Sequence, residues 1–251
     1  MRVTLQLQPN WPHLGGTVIE ALARDGRYRS QFETGTSNGG LTAHPGGSRW
    51  RWESRLFDGR YDAADPATRP VYGALDRHED PYGGSIRFGS AYLVMAEHTL
   101  ERTTFCYPDS VFEPQHVGGP ERRVELAGLA DADVASGARD DHLDDYVEAH
   151  VHGGVDLAVD VEELVIDPCF RGTPVGAAAL TLPCEVRFHP GFSVATADLT
   201  ADYRGDAPLA LARSLGEVLT PDVVGDAARS GAHDRQTVKQ VWHLLARFGR
   251  R

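Results

Sequence analysis

An α+β fold follows from three features of the 251-residue chain: an amphipathic helix ahead of the strands, a middle built of alternating strand-like segments, and helical periodicity from about residue 206 to the end. Grouping of helices and strands, rather than strict alternation, argues against a parallel doubly wound sheet. The length and a hydrophobic content of 41% are enough for a proper core. The expected division is a main unit over residues 1–205 and a helical segment over 206–251 packed on it.

The elements are expected in this order. "GGTVIEALARDG" (15–26) reads as a helix with Val18, Leu22 and Ile19 on one face and Gly26 as its stop. "RYRSQFETG" (27–35) alternates as a strand, with Tyr28, Ser30 and Phe32 opposite Arg29, Gln31 and Glu33. "TSNGGLTAHPGGS" is a glycine-rich loop, and "RWRWESRLF" (49–57) is a helix that closes at Gly59. Strands follow at "RPVYGALD" (69–76), "SIRFGSAYLVM" (85–95) and "ERTTFCY" (101–107). Residues 113–145 hold one or two short helices. "DYVEAHVH" starts a strand that breaks at Gly153–Gly154 and resumes as "VDLAVDVEELVID"; "ALTLPCEVRFHPGF" (179–192) is strand-like. "PLALARSLGEVL", "PDVVGDAARSG" and "RQTVKQVWHLLARFG" are the closing helices.

Lys+Arg 25 against Asp+Glu 36 gives a formal charge of −11, which argues against a nucleic-acid partner. Arginines nevertheless crowd residues 24–60, so a local basic cleft for an anionic ligand stays open, and Lys239 is the only lysine. Cys106, Cys169 and Cys184 are odd in number and widely spaced, which fits neither a disulfide framework nor a zinc knuckle. The N-terminus has no apolar signal core, and no stretch reaches the length of a membrane span. The expectation is a bacterial cytoplasmic protein, or one exported as an effector without a cleavable signal, with no membrane partner.

Four motifs carry candidate chemistry. In "RYRSQFETGTSNGG", Arg29 offers a guanidinium fork for phosphate oxygens, and Ser30, Ser37, Asn38 and Gly39 form a cradle of backbone N–H and hydroxyl groups. In "RFGSAYL", Arg87 and Ser90 lie on an otherwise apolar strand whose Gly89 permits close approach. In "YVEAHVHGG", Glu148, His150 and His152 share one strand face; there they can bind a metal, place Glu148 as an acid or base, or serve as a polar sheet face. In "RWRWESRLF" and "RPVYGAL", Trp50, Trp52 and Tyr72 are either ring-stacking platforms or core aromatics.

In chain order these give an arginine, a serine and a glutamate about sixty residues apart. With "YRSQFETGTSNGGLTAHPGGSRWRWESRLF", "RPVYGAL", "RFGSAYL", "RTTFCYPDS" and "YVEAHVHGGVDLAVDVEELVIDPCFRGT", the chain resembles a bacterial domain-of-unknown-function family, over roughly residues 13–175. That family includes effector ubiquitin-threonine ADP-ribosyltransferases and belongs with the Arg-Ser-Glu mono-ADP-ribosyltransferases. The resemblance implies a split mixed-sheet core that clamps NAD, a catalytic unit over 1–205, and transfer of ADP-ribose to a protein acceptor, such as a threonine of ubiquitin, with release of nicotinamide. It implies Arg29 on the diphosphate and ribose, Ser90 orienting the glutamate, and Glu148 as the catalytic carboxylate; Ser30, Ser37, Asn38, Gly39, Tyr72 and Arg87 complete the NAD site. Arginine-modifying toxins carry Glu-x-Glu at the last motif; here Tyr146 stands two before Glu148, which speaks against arginine as acceptor.

Two rival readings stand beside this one. A metal-dependent hydrolase or oxygenase would use Glu148, His150 and His152. A non-catalytic module would use the glycine-rich loop and arginines to bind a nucleotide or a partner protein.

Overall fold

The computed structural model describes residues 1–35, 42–139 and 141–251. Its centre is one mixed sheet of eight strands: β1 (Arg2–Leu7), β2 (Val71–Asp76), β3 (Ala91–Met95), β4 (Thr103–Tyr107), β5 (His116–Gly118), β6 (Val147–Val151), β7 (Val161–Ile166) and β8 (Glu185–Phe188). They lie in the order β8-β7-β3-β1-β2-β6-β4-β5, and only β7 and β8 run parallel. The helices are α1 (Val18–Asp25), α2 (Gln31–Thr34), α3 (Ser48–Leu56), α4 (Arg123–Ser136), α5 (Leu157–Asp160), α6 (Pro174–Ala179), α7 (Asp206–Leu215), α8 (Pro221–Ser230) and α9 (Arg235–Phe248). The fold is therefore α+β, with a mixed sheet and C-terminal helices. No helix among the described residues is long and apolar enough to cross a membrane.

Period-two alternation gives the sheet two different faces. Val3, Leu5, Leu7, Val71, Leu75, Leu93, Phe105, Val147, Ala149 and Val151 point to one side and pack on Ile19 and Leu22 of α1, Leu126 and Ala130 of α4 and Ala179 of α6. Each fully buried aliphatic there contributes roughly 1.5–3 kcal/mol. The alternate positions Thr4, Gln6, Tyr72, Thr104, Cys106, Glu148 and His150 line the opposite, polar face. The ladder sets their rows: Glu148 lies between Cys106 and Ala74, and His150 between Thr104 and Tyr72.

Several expectations are corrected. Residues 27–35 are not one strand. Arg27–Tyr28 pairs briefly with Val155–Asp156, after which the chain turns into α2. The reason is a capping box: the Ser30 hydroxyl accepts from the Glu33 N–H while the Glu33 carboxylate accepts from the Ser30 N–H. "SIRFGSAYLVM" is a strand only from Ala91; Ile86–Phe88 forms a 3₁₀ turn. "ALTLPCEVRFHPGF" keeps only the four residues of β8 as strand. "RVTLQL", read above only as lacking a signal core, is the central strand β1.

The three terminal helices form a second apolar core around Trp242, Val241, Leu244, Leu245, Leu209 and Val224, and this core also takes in Tyr82, Leu143 and Phe192. The Trp242 indole N–H donates to the Ile86 and Arg87 carbonyls, both at 3.1 Å. The Asn10 amide donates to the Pro221 carbonyl at 3.1 Å. The helices are thus tied to the end of β1 and to the 85–89 segment, the two stretches that wall the site.

Candidate active site

Glu148 lies on the floor of a cleft that opens on the polar face of the sheet. The cleft is lined by Gln6, Gln8, Trp11, Val18, Leu22, Arg27, Tyr28, Arg29, Arg49, Tyr72, Ser85, Phe88, Glu148 and Arg235, among others. Glu148 is only 4% exposed. Its Oε1 accepts from His150 Nε2 at 2.9 Å, from the Ser110 N–H at 3.3 Å and from the Cys106 thiol at 3.7 Å. Among the described residues nothing hydrogen-bonds Oε2. Burial works to raise the Glu148 pKa. The hydrogen bond from His150, the charge of Arg49 and the Ser110 N–H outweigh it and hold the carboxyl below its usual range. Next to it Asp109 goes the other way, pushed up to about 6 by burial and by the Glu148 charge, with Tyr146 donating to its Oδ2.

Above Glu148 stands Arg49 of α3, 8% exposed. Its guanidinium carbon lies 5.1 Å from the Trp52 ring and 4.7 Å from the Tyr72 ring, and Nη1 donates to Ser110 Oγ at 3.4 Å. Among the described residues it makes no ion pair, so a buried cation faces the cleft with part of its donor fork unspent. Tyr72 is fixed beneath it: the phenol donates to Glu53 Oε2 at 3.0 Å, and Glu53 is bound in turn by Arg69. At the mouth, Arg27 pairs with Glu33 at 2.7 Å, Arg29 pairs with Asp25 at 3.0 Å, and Arg235 stands exposed at the start of α9.

The residues singled out from sequence are distributed unevenly. Glu148, Arg29 and Tyr72 line one cleft. Ser30 is the cap of α2, its hydroxyl given to the Pro66 carbonyl at 2.6 Å. Ser90 lies outside the lining and is fully buried; its hydroxyl donates to Gln8 Oε1 at 3.3 Å, so it reaches the cleft only through Gln8. Arg87 also lies outside the lining, ion-paired to Asp144 and, at 3.6 Å, to Asp141. Ser37, Asn38 and Gly39 fall outside the described residues.

Arg27, Arg49, Ser85 and Arg235 are lining residues that the sequence motifs did not mark. Arg49 sits in a motif dominated by two tryptophans. Ser85 is buried, and its hydroxyl has no hydrogen-bond partner among the described residues. The readable signal for Ser85 was the glycine pair before it. A Cβ on Gly84 would come within 3.1 Å of Ala74 and of the Leu75–Asp76 backbone, so glycine lets the segment lie flat on the sheet beside the row that holds Glu148.

The proposed metal triad does not converge. His152 turns both nitrogens to protein, Nδ1 to the Tyr61 hydroxyl at 2.6 Å and Nε2 to Thr104 Oγ1 at 2.9 Å. Cys106, Glu148 and His150 do bring donor atoms within 4.8 Å of one another. They fit a hydrogen-bonded cluster rather than a metal shell: Nε2 to Oε1 is a hydrogen-bond length, and burial beside Glu148 pushes the Cys106 thiol far up, which keeps it protonated.

The chain belongs to the family described as Protein of unknown function (DUF3626), whose model matches residues 2–131 and 125–248. It is 28% identical over 166 residues to the Gene 2 protein of Mycobacterium phage L5; the match takes in 57% of this chain and 59% of that relative, so this chain spans well under the relative's full length. Among solved structures it is similar to Thermus sp. 2.9 DarT in complex with ADP-ribosylated ssDNA, at 13% identity and a TM-score of 0.41, covering 74% of this chain and 93% of the other. The exclusion of a nucleic-acid partner is corrected: it rested on the total charge of −11, and a total does not describe the cleft mouth, which carries Arg27, Arg29 and Arg235.

Proposed function

We propose that this chain is an NAD-consuming ADP-ribosyltransferase with Glu148 as its catalytic carboxylate. The observation that carries the reading is a buried carboxylate, held by hydrogen bonds at Oε1 on the floor of an arginine-lined cleft. Cleavage of the nicotinamide–ribose bond sends the bonding pair to the pyridine ring, and neutral nicotinamide leaves. Positive charge then builds on the sugar carbon and ring oxygen, as in glycoside cleavage. A fixed carboxylate stabilises that cation and holds the ribose 2′-hydroxyl. Ser85 supplies a hydroxyl beside it, and Arg29 with Arg27 and Arg235 anchors the diphosphate at the mouth. An acceptor hydroxyl oxygen then bonds to the sugar carbon and gives its proton to the Glu148 carboxylate, which passes it to water. A protein hydroxyl, with a threonine of ubiquitin as the first candidate, suits the family resemblance.

The test is nicotinamide release from NAD by the purified chain, alone and with ubiquitin, a bacterial lysate or single-stranded DNA, with mass spectrometry of each acceptor. Glu148→Gln keeps the shape and removes the charge; it should lower turnover by about a hundredfold or more. An undiminished rate in folded Glu148→Gln overturns the assignment, and modification of DNA but not protein overturns the acceptor.

A further inference from the structure

We infer that His150 is a positioning residue, the last link of a hydrogen-bond chain Tyr61–His152–Thr104–His150 that aims Glu148 into the cleft. The links are 2.6 Å from Tyr61 Oη to His152 Nδ1, 2.9 Å from His152 Nε2 to Thr104 Oγ1, 3.1 Å from Thr104 Oγ1 to His150 Nδ1, and 2.9 Å from His150 Nε2 to Glu148 Oε1. The inference rests on the role proposed for Glu148 and adds what fixes that carboxylate.

The proton count orients the chain. Thr104 has one hydroxyl proton and lies between two ring nitrogens, so it donates to one and accepts from the other. If it donates to His150 Nδ1, then His152 Nε2–H donates to it, the Tyr61 hydroxyl donates to His152 Nδ1, and His150 Nε2–H donates to Glu148. Every link is satisfied with both rings neutral and Glu148 ionised. The reverse order puts a second proton on His150 or leaves a bare nitrogen against a carboxylate oxygen. Burial, with the charges of Arg60 and Arg102, pushes His152 down to about 4, which fits a neutral ring.

Such an aligned chain polarises each bond toward Glu148. It occupies Oε1 and leaves Oε2 for the substrate. Phe57 seals it, with ring centroids 5.2 Å from His150, 5.1 Å from His152 and 5.5 Å from Tyr61. The histidines at alternate strand positions thus have a use that requires no metal.

Two measurements test it. Long-range proton–nitrogen NMR of the wild-type chain, assigned with His150→Gln and His152→Gln, should show both rings neutral with the proton on Nε2 at pH 7. An imidazolium or an Nδ1–H tautomer at His150 overturns the chain whether or not the protein turns over NAD. In nicotinamide release, Thr104→Val severs the link with little change of volume, and His150→Leu removes the donor. Each should lower kcat by about ten- to a hundredfold, as loss of an outer support typically does, with KM for NAD within about twofold. His150→Gln, which restores a donor, should recover most of the rate. A rise in KM at constant kcat, or a Gln variant no better than Leu, overturns the positioning role. If the wild-type chain releases no nicotinamide, the proposed function fails, and the tautomer result decides the chain separately.

Discussion

At the scale of single residues, charge and planarity do different work in this cleft. Arg49 is held face-on between Trp52 and Tyr72, a geometry that suits a flat guanidinium and not a compact ammonium. Arg49→Lys therefore keeps the charge and loses about 0.5–2 kcal/mol of ring contact together with the fork. The expected result is a KM for NAD raised about tenfold with the melting temperature lowered by only a few degrees; unaltered kinetics would remove Arg49 from the site. Glu148, His150 and His152 could be read from sequence because a strand writes its faces at every second position. Arg49 and Ser85 could not. One comes from a helix and the other from a turn, and what brings them to Glu148 is packing across about sixty to one hundred residues, for which a local pattern has no signal.

At the scale of elements, the cleft wall depends on a close crossing of two backbones. Gly89 has φ 169°, extended backbone open to any residue, so its glycine is not there for conformation. A Cβ at Gly89 would instead lie 2.0 Å from the Leu7 carbonyl oxygen and 2.2 Å from its carbon. Neither backbone can yield without parting β1 from the segment that carries Ser85. Gly89→Ala should cost about 2–3 kcal/mol in urea unfolding. Gly128→Ala in α4, where a Cβ meets nothing within 4 Å, should be neutral or stabilising by up to about 1 kcal/mol. Equal effects from the two would refute the crossing. The "FGS" step announced this approach in the sequence. Ser30 and Glu33 have the spacing of a capping box, but period-two alternation over nine residues masked it, and a one-turn helix is too short to show a 3.6-residue period.

At the scale of the molecule, two apolar cores meet through the Trp242 indole and the Ile86 and Arg87 carbonyls, and buried histidines within them tie stability to pH. The family match runs through the terminal helices as well as the sheet, in keeping with a site whose wall those helices hold. His243 of α9 is 2% exposed, and neither ring nitrogen has a hydrogen-bond partner among the described residues. Burial, then Arg87, Arg204 and Lys239, push it down to about 2. The unfolded chain protonates this ring near 6.5, so the folded state binds the proton more weakly. Stability from this group is complete above about pH 6.5 and is lost as the pH falls, at about 1.4 kcal/mol per unit. His152 acts in the same sense down to about 4. Asp109, raised to about 6, opposes them, because its protonation below that pH relieves a buried charge; Glu53, Asp76 and Asp144, also raised by burial, act with it. The comparison that isolates one term is wild type against His243→Leu, a change of similar volume away from the cleft. Between pH 7.5 and pH 5.0 the wild type should lose about 2 kcal/mol more unfolding free energy than the variant. Parallel pH profiles for the two would show that the ring is protonated, or reached by water, in the folded state.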